Sequence, residues 1–136
     1  MRPHPEGGHY VEIYRSSALT SIFFLLTAGE ISRWHRVIGS DEAWHFYEGD
    51  PLELLTAPDG FEALDRHVLG PVAEDRRPVY VVPGGVWQAA RTTGAYTLVG
   101  CSVGPGFDFA NFQMLRDDPE LSAHARSRQP DAAAFV

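Results

Sequence analysis

The chain has 136 residues, 44% of them hydrophobic and 21% charged, which is the size and composition of one globular domain. Its formal net charge of −7 argues against nucleic acid or an anionic membrane as a partner, because both are bound through basic patches. All eleven basic residues are arginine, so lysine Schiff-base chemistry and a covalent pyridoxal phosphate linkage are excluded.

Short strands separated by turn residues follow one another along most of the chain. The first ten residues are rich in Pro, Gly and His and predict an irregular arm. Nine strands are then predicted, at Tyr10–Ser16, Ser21–Leu26, Ile31–Val37, Ala43–Glu48, Leu52–Ala57, Phe61–Leu69, Pro78–Val82, Val86–Thr92 and Tyr96–Val103. The Asp-Asp-Pro-Glu sequence that begins at residue 117 predicts a short helix over residues 117–127. Many short strands with regular turns are typical of an antiparallel sandwich or barrel, and we predict a jelly roll that forms one domain over residues 1–136.

The cellular location is predicted from the cysteine content and the apolar runs. The single cysteine, Cys101, cannot form a disulfide within the chain and fits a reducing cytoplasm. The N-terminal residues lack the apolar core of a signal peptide, and the longest apolar run, Ile22–Leu26, is short enough for a strand. We therefore expect a cytoplasmic protein that does not bind membranes.

Two spaced motifs carry most of the information about a site. The segment from Gly29 to Gly49 reads G-x5-H-x-V-x4-E-x6-G, and the segment from Pro83 to Gln88 reads P-x-G-x2-Q. This frame resembles the two signature motifs of the cupin superfamily, G-x5-H-x-H-x3,4-E-x6-G and G-x5-P-x-G-x2-H-x3-N, whose four ligand positions usually hold one metal ion. In this chain those four positions are His35, Val37, Glu42 and Gln88.

Further blocks resemble a narrower group, the small single-domain cupins of unknown function (the Cupin_5-like domain). They include His4-Pro5-Glu6-Gly7-Gly8, Trp34-His35-Arg36-Val37, Asp41-Glu42-x-Trp44-His45-Phe46-Tyr47 and Trp87-Gln88-Ala89-Ala90. The resemblance implies an all-β cupin jelly-roll barrel, an antiparallel double-stranded β-helix, with a short C-terminal helix. It also implies a ligand-sized cavity and, commonly, a homodimer. It does not supply a reaction.

Alternation along the strands assigns the side chains to two faces. The inward face is predicted to carry Arg33, His35, Val37, Glu42, Trp44, Phe46 and Gln88, which together would form an aromatic-walled cavity for a small molecule. Trp34 and Trp87 then point outward, and we expect them to form a homodimer interface or to be covered by the N-terminal arm. A bulge in any strand would reverse these assignments.

The ligand positions are a poor match for a transition metal, which prefers two or three histidines with a carboxylate. We therefore expect no cofactor, and if a divalent metal did bind, its ligands would be His35, Glu42 and Gln88. The first hypothesis is a metal-independent isomerase or epimerase of a sugar-like or carbonyl compound, with His35 as general base and Glu42 orienting it. Its substrate contacts would be Arg33, Trp44, Phe46 and Gln88. A non-catalytic ligand-binding cupin and a metal-dependent cupin enzyme are the alternatives.

Several other residues are assigned minor or open roles. Tyr14 and Tyr47 are candidates for a catalytic acid, and Cys101 is expected to be a buried, inert thiol. The pair Gly7-Gly8 indicates a backbone that approaches a ligand or a dimer partner closely. His45 has the opposite parity to Glu42 and is assigned to an interface or to outer-sheet packing. Four histidines are expected to be exposed to solvent, namely His4, His9, His67 and His124.

Overall fold

The computed structural model describes residues 1–136 and contains eleven strands. The strands are β1 (Arg2–Pro3), β2 (His9–Arg15), β3 (Thr20–Thr27), β4 (Ile31–Val37), β5 (Asp41–Gly49), β6 (Leu52–Ala57), β7 (Asp65–Leu69), β8 (Val79–Val82), β9 (Trp87–Thr92), β10 (Tyr96–Gly104) and β11 (Phe112–Met114). One α-helix, α1 (Pro119–Arg128), and three 3-10 helices (Phe109–Asn111, Leu115–Asp117 and Pro130–Phe135) complete the chain. No helix is long and apolar enough to cross a membrane.

The strands form two antiparallel sheets, which confirms the predicted all-β jelly roll. The six-stranded sheet has the order β1-β2-β3-β10-β5-β8, and the five-stranded sheet has the order β11-β4-β9-β6-β7. The inner faces of the two sheets enclose an apolar core that includes Phe24, Leu26, Trp44, Leu54 and Val99. Side chains alternate across each strand, so this core uses one face of each sheet.

Most predicted strand limits agree with the structure to within two residues, and the largest departure is at Phe61. That residue has a φ of 54°, and its N–H bonds to the carbonyl of Pro58, so the chain turns there and β7 starts only at Asp65. Two strands were not predicted: β1, inside the supposedly irregular arm, and β11. Both have at most three residues, too few for a period of two to be visible in the sequence.

The outer face of the five-stranded sheet is covered by the C-terminal part of the same chain. Trp34 and Trp87 are 0% and 2% exposed and lie in a second core with residues of the C-terminal helices, including Leu115, Ala125 and Phe135. The indole N–H of Trp34 donates to a backbone carbonyl of the last 3-10 helix at 2.9 Å. The prediction that a partner chain or the N-terminal arm covers these tryptophans was wrong, because α1 and the segment after it already do so.

A bulge in β4 changes the direction of Arg33. Ser32 pairs with Ala90 and His35 with Gln88, so three residues of β4 advance while β9 advances two. His35 consequently points inward, as predicted, but Arg33 does not. Its guanidinium donates to the carbonyl oxygen of Val136 at 3.1 Å, outside the barrel. The inward assignment of Arg33 was therefore wrong.

Candidate functional site

A cavity of about 200 Å³ lies between the two sheets, at the end of the sandwich where β5 begins and β10 ends. His35, Val37 and Phe112 line it from the five-stranded sheet, and Glu42 and Tyr10 line it from the opposite sheet. The N-terminal arm and the loop after β10 complete the wall, with an aromatic side that includes Phe107 and Phe109. Arg2, Glu12 and Arg15 line it as well, and all three are exposed at the protein surface.

Both ring nitrogens of His35 are engaged by the protein. Nδ1 donates to the carbonyl oxygen of Arg33 at 2.7 Å, and Nε2 lies 2.9 Å from Oε2 of Glu6. Burial by itself lowers the pKa of His35, but the charge and hydrogen bond of Glu6, assisted by Glu42, outweigh burial and raise that pKa to about 9. At neutral pH His35 is therefore an imidazolium paired with a carboxylate.

The partner of His35, Glu6, was not identified as a site residue from the sequence. It is 5% exposed although it belongs to the N-terminal arm. Burial raises the pKa of its carboxyl group, yet the nearby His35 charge prevails and the pKa is lowered. A carboxylate in an irregular arm is ordinarily exposed to solvent, so Glu6 itself gave no sign of burial. The signal in the sequence was the Gly-Gly pair that follows it.

Gly7 lets the arm lie directly against β4. Gly7 has a φ of 112°, and a Cβ atom there would overlap the carbonyl oxygen of Ile31. The carbonyl of Glu6 accepts from the N–H of Arg33 at 2.7 Å, so the arm is bonded directly to the strand that carries His35. The close approach predicted for this segment exists, but its partner is the chain's own β4.

Glu42 is held by a chain of hydrogen bonds from the core. Gln88 donates through Nε2 to Oε1 of Glu42 at 2.8 Å, and its Oε1 accepts from the indole N–H of Trp44 at 2.7 Å. Burial raises the pKa of Glu42 to about 7, and the Glu6 charge adds to that effect while the His35 charge and the Gln88 hydrogen bond oppose it. Glu42 is thus a carboxyl group that changes charge near neutral pH, at the wall of the cavity.

Three predicted substrate contacts lie outside the cavity wall. Trp44 and Gln88 are 0% and 1% exposed and lie behind Glu42, and Phe46 packs against the inner core. Trp44 and Gln88 therefore support Glu42 and Phe46 belongs to the core, so none of the three is a surface for a ligand. The fourth predicted contact, Arg33, points away from the site.

The two candidate acids lie outside the cavity, whereas another tyrosine and the single cysteine line it. Tyr14 and Tyr47 are 55% and 51% exposed at the protein surface, so neither candidate acid reaches the cavity. Tyr10, which was not singled out, lines it instead. Cys101 is buried, as predicted, and lies in the cavity wall; burial and the neighbouring Glu42 raise the pKa of its thiol well above the usual value.

His4 was predicted to be exposed, but its side chain is 7% exposed and lines the cavity. Its Nδ1 accepts a hydrogen bond from the backbone N–H of Glu6 at 3.2 Å, and burial lowers its pKa, so the ring is neutral. The proton is then on Nε2, which has no partner within the protein. His67 is also partly buried, stacked on Tyr80 with ring centroids 3.8 Å apart.

The residues at the four cupin ligand positions do not fit a metal ion. Both nitrogens of His35 and the amide oxygen of Gln88 are already bonded within the protein, and Val37 has no donor atom. No group of three His, Cys, Asp or Glu side chains is arranged to hold a metal. Only Glu42 among the four could offer a free ligand atom, which is too little for a divalent cation.

A family model described as "Cupin superfamily (DUF985)", Cupin_5, matches residues 1–115. No curated protein matches the chain. The match includes the arm with Glu6 and all four ligand positions, and it ends where the C-terminal covering segment begins.

Solved structures agree with this family. A protein from Shewanella oneidensis is 31% identical, with a TM-score of 0.88 over 99% of this chain and 90% of that one. A hypothetical protein from Leishmania major is 30% identical, with a TM-score of 0.82 over 98% of this chain and 90% of that one. A dTDP sugar isomerase from Desulfovibrio desulfuricans is 12% identical, with a TM-score of 0.65 over 85% of each chain, which shows a common fold alone.

Proposed function

We propose a small-molecule isomerase function for this chain, which belongs to the Cupin_5 family of the cupin superfamily (DUF985). Its cavity would bind a sugar-like or other hydroxy-carbonyl compound, and Glu42 would move the proton without a metal. The position of Glu42 carries the proposal. It is the carboxylate of the cavity wall that has no cationic partner in hydrogen-bond contact, whereas Glu6 is paired with His35 and Glu12 with Arg15.

The protonation behaviour of Glu42 supports this role. A general base works best when its pKa is near the working pH, and the pKa of Glu42 is raised to about 7. His35 is less suited to the role that the sequence suggested for it. Its pKa of about 9 keeps it protonated, and neither ring nitrogen has a lone pair directed at the cavity.

In the proposed reaction, Glu42 takes the proton from the carbon next to a carbonyl group. The electron pair of that C–H bond forms a carbon–carbon double bond, and the carbonyl π pair moves to oxygen, which gives an enediolate. A proton shift between the two oxygens moves the negative charge to the second oxygen. That oxygen then re-forms a carbonyl group as the double-bond electron pair takes the proton back from Glu42 at the former carbonyl carbon, so the step is redox-neutral.

Two unpaired donors of the cavity wall suit the oxygens of such a substrate. The Nε2–H of His4 and the hydroxyl group of Tyr10 have no partner within the protein, and both residues line the cavity. The volume of about 200 Å³ is below the usual range of drug-sized ligand pockets. We therefore propose a substrate of about the size of a small monosaccharide.

The likeness to a dTDP sugar isomerase gives modest support for this reaction class, since that protein shares only the fold with this chain. The single cysteine supports a cytoplasmic location. A non-catalytic binding function would use the same donors, and the experiment below separates the two.

The test is deuterium incorporation from D₂O into D-glyceraldehyde and dihydroxyacetone, followed by proton NMR. We expect the wild-type protein to catalyse exchange at the carbon next to the carbonyl and to interconvert the two compounds, with a rate that rises through about pH 7 as Glu42 loses its proton. Glu42→Gln should lower this rate at least about 100-fold. The control is Glu62→Gln, which makes the same chemical change at an exposed carboxylate remote from the cavity.

Equal exchange by Glu42→Gln and the wild type would refute the role of Glu42. Saturable binding of either probe with no exchange above the buffer rate would favour the non-catalytic binding function and refute the isomerase.

A further inference from the structure

The rim of the cavity carries two arginines, although the chain as a whole is acidic. Arg2 of β1 and Arg15 of β2 line the cavity and are exposed at its open end. Glu12 is the one exposed carboxylate of the cavity wall, so the rim has one more positive charge than negative charges. The whole chain, in contrast, has a formal net charge of −7. A locally positive rim on an acidic protein concentrates anions at that place.

A bulge in β2 turns Arg15 toward the cavity. The pairing with β3 shifts between Glu12 and Tyr14, where β2 advances two residues while β3 advances one. In a regular strand Arg15 would lie on the opposite face from Glu12, because faces alternate and the two are three residues apart. With the bulge, Glu12 and Arg15 pair with Ile22 and Thr20, which both line the cavity. Bulges beside functional sites commonly redirect a side chain in this way.

Hydrogen bonds hold Arg15 in place at the rim. Its Nε and Nη2 donate to Oε1 of Glu12 at 2.9 Å and 2.6 Å, and its Nη1 donates to the carbonyl oxygen of Phe107 at 2.9 Å. The N–H of Phe107 in turn donates to Oγ1 of Thr20 at 2.9 Å. The next acidic group, Asp108, lies outside the cavity wall and accepts a backbone N–H of its own loop. A guanidinium has five N–H groups, so Arg15 retains two for a ligand.

The guanidinium of Arg2 has no hydrogen-bond or ion-pair partner within the protein. It lies over the ring of Tyr10, with Cζ 5.4 Å from the ring centroid. The two-residue strand β1 places Arg2 opposite Tyr10, which fixes the base of the side chain at the rim. The Arg15 hydrogen bond lowers the pKa of Glu12 most, and the Arg2 charge adds to this effect, so both guanidinium groups lie near the same carboxylate. Arg2 therefore supplies a positive charge and five unused N–H groups beside Arg15.

We propose that Arg2 and Arg15 form a subsite for a phosphate monoester. The substrate would then be a phosphorylated hydroxy-carbonyl compound, with its reacting carbons at Glu42 and its phosphate group at the rim. The identity of the reacting end rests on the proposed isomerase function, whereas the phosphate subsite can be measured without any reaction.

The chemistry of the rim favours phosphate over other anions. A phosphate monoester has three acceptor oxygens and a charge of about −1.5 to −2 at pH 7, and guanidinium groups bind it through paired N–H groups. Arg2 offers five such N–H groups and Arg15 two, which exceeds what one carboxylate can accept. Both arginines are exposed, so the phosphate would keep part of its hydration and avoid the cost of full burial. The cavity of about 200 Å³ would then need to hold only the carbon chain.

NMR titration with glycerol 3-phosphate tests the subsite, because this compound has the phosphate group but no carbonyl group that could react. At about pH 8 we expect it to bind at least about 10-fold more tightly than glycerol. Arg2→Gln and Arg15→Gln should each raise its dissociation constant at least about 10-fold, since each removes charge-assisted hydrogen bonds. Both residues are exposed, so the variants should fold. The control is Arg126→Gln, the same charge change at an exposed arginine of α1 that is remote from the cavity, and it should leave the dissociation constant unchanged.

Glycerol 3-phosphate that binds no more tightly than glycerol would overturn the proposal. So would equal affinity of the wild type and the two rim variants, because the phosphate would then bind elsewhere. D-Glycerate, which has a carboxylate in place of the phosphate, should bind more weakly than glycerol 3-phosphate; binding as tight would refute the choice of phosphate.

Deuterium exchange into dihydroxyacetone and dihydroxyacetone phosphate separates this proposal from the isomerase function. Tight binding of glycerol 3-phosphate that depends on both arginines, without exchange into either compound, would support the subsite and refute the isomerase. Exchange into dihydroxyacetone, without tighter binding of glycerol 3-phosphate than of glycerol, would support the isomerase and refute the subsite.

Discussion

Replacing Glu42 with glutamine should make the protein more stable above neutral pH. Glu42 is 8% exposed, and burial raises the pKa of its carboxyl group, which means that the folded protein resists the ionisation that the unfolded chain permits. Glutamine has the same shape and never ionises. Its side-chain oxygen can accept the hydrogen bond that Gln88 now donates to Oε1 of Glu42 at 2.8 Å.

The size of the effect follows from the two pKa values. Below about pH 4 the Glu42 carboxyl group is protonated in both the folded and the unfolded state, so it contributes no stability difference between the wild type and the variant. Between its ordinary pKa of 4.5 and its folded value of about 7, the folded state binds more protons than the unfolded state, so the free energy of unfolding falls as pH rises. At about 1.36 kcal/mol per pKa unit, the free energy of unfolding of the wild type is lower above pH 7 than at acidic pH by about 3 kcal/mol. Glu42→Gln should recover most of that amount.

Urea unfolding from about pH 4.5 to pH 8.5 measures this difference directly. The stability gain of Glu42→Gln over the wild type should be small at the acidic end, grow through the range and level off near pH 8. Titrating groups that do not interact with Glu42 are common to both proteins and cancel in the difference, and His35, which does interact with it, titrates at about 9, above this pH range. The control Glu62→Gln changes an exposed carboxylate that has no ion pair, and it should give a difference below about 0.5 kcal/mol at every pH.

A stability difference between Glu42→Gln and the wild type that does not depend on pH would refute the reasoning, because Glu42 would then ionise equally easily in the folded and unfolded states. A variant that is less stable than the wild type at pH 8 would refute it more strongly. In that case the carboxylate would be stabilised by the fold, and its proposed role as a base near neutral pH would lose its physical basis.

Three further substitutions test the arm and the C-terminal cover. Glu6→Gln should lower stability by about 3 kcal/mol near pH 6, because it leaves His35 without its buried partner. The loss should shrink as pH rises from 6.5 through about 9, where the wild-type imidazolium itself loses its proton, and urea unfolding across that range checks this. Gly7→Ala should release the arm, because the residue has a φ of 112° and its Cβ would overlap the Ile31 carbonyl; faster hydrogen exchange of the Arg33 amide would report it. Trp34→Ala should cost about 3–5 kcal/mol through the cavity it leaves under α1, measured by thermal unfolding with circular dichroism.

The sequence predicted the inward directions of His35, Glu42 and Gln88 because they lie on strands whose alternation is regular. It failed at Arg33 because one bulge in β4 interrupts the period of two, and nothing in the residues from Ser32 to His35 marks that bulge. It failed at Trp34 because alternation assigns a face but does not identify the segment that packs on that face.

Glu6 illustrates a different limit of sequence reasoning. Its distance of 2.9 Å from His35 joins residues that are 29 positions apart, and no periodicity links an arm to a strand. The Gly-Gly pair correctly indicated a close backbone approach, but many partners satisfy that signal. His4 was assigned to solvent for the same reason, since an arm without visible strands gives no ground for burial.

The altered ligand positions and the titrating carboxylate have one physical origin. A metal ion at this site would need a neutral His35 as its ligand, and the positive charge of the metal would keep Glu42 ionised. Here Nε2 of His35 faces Glu6, so the positive charge lies on the imidazole and is already neutralised by the arm. Val37 adds no charge, and Gln88 offers Glu42 only a neutral N–H. The charge of Glu42 is therefore incompletely compensated in a buried wall, which is why its pKa rises to about 7 and why it can give and take a proton at neutral pH. Glu6→Gln would free Nε2 of His35 and so change this compensation. The pKa of Glu42 should change with it, and carboxyl-carbon NMR titration of the two proteins would detect the difference.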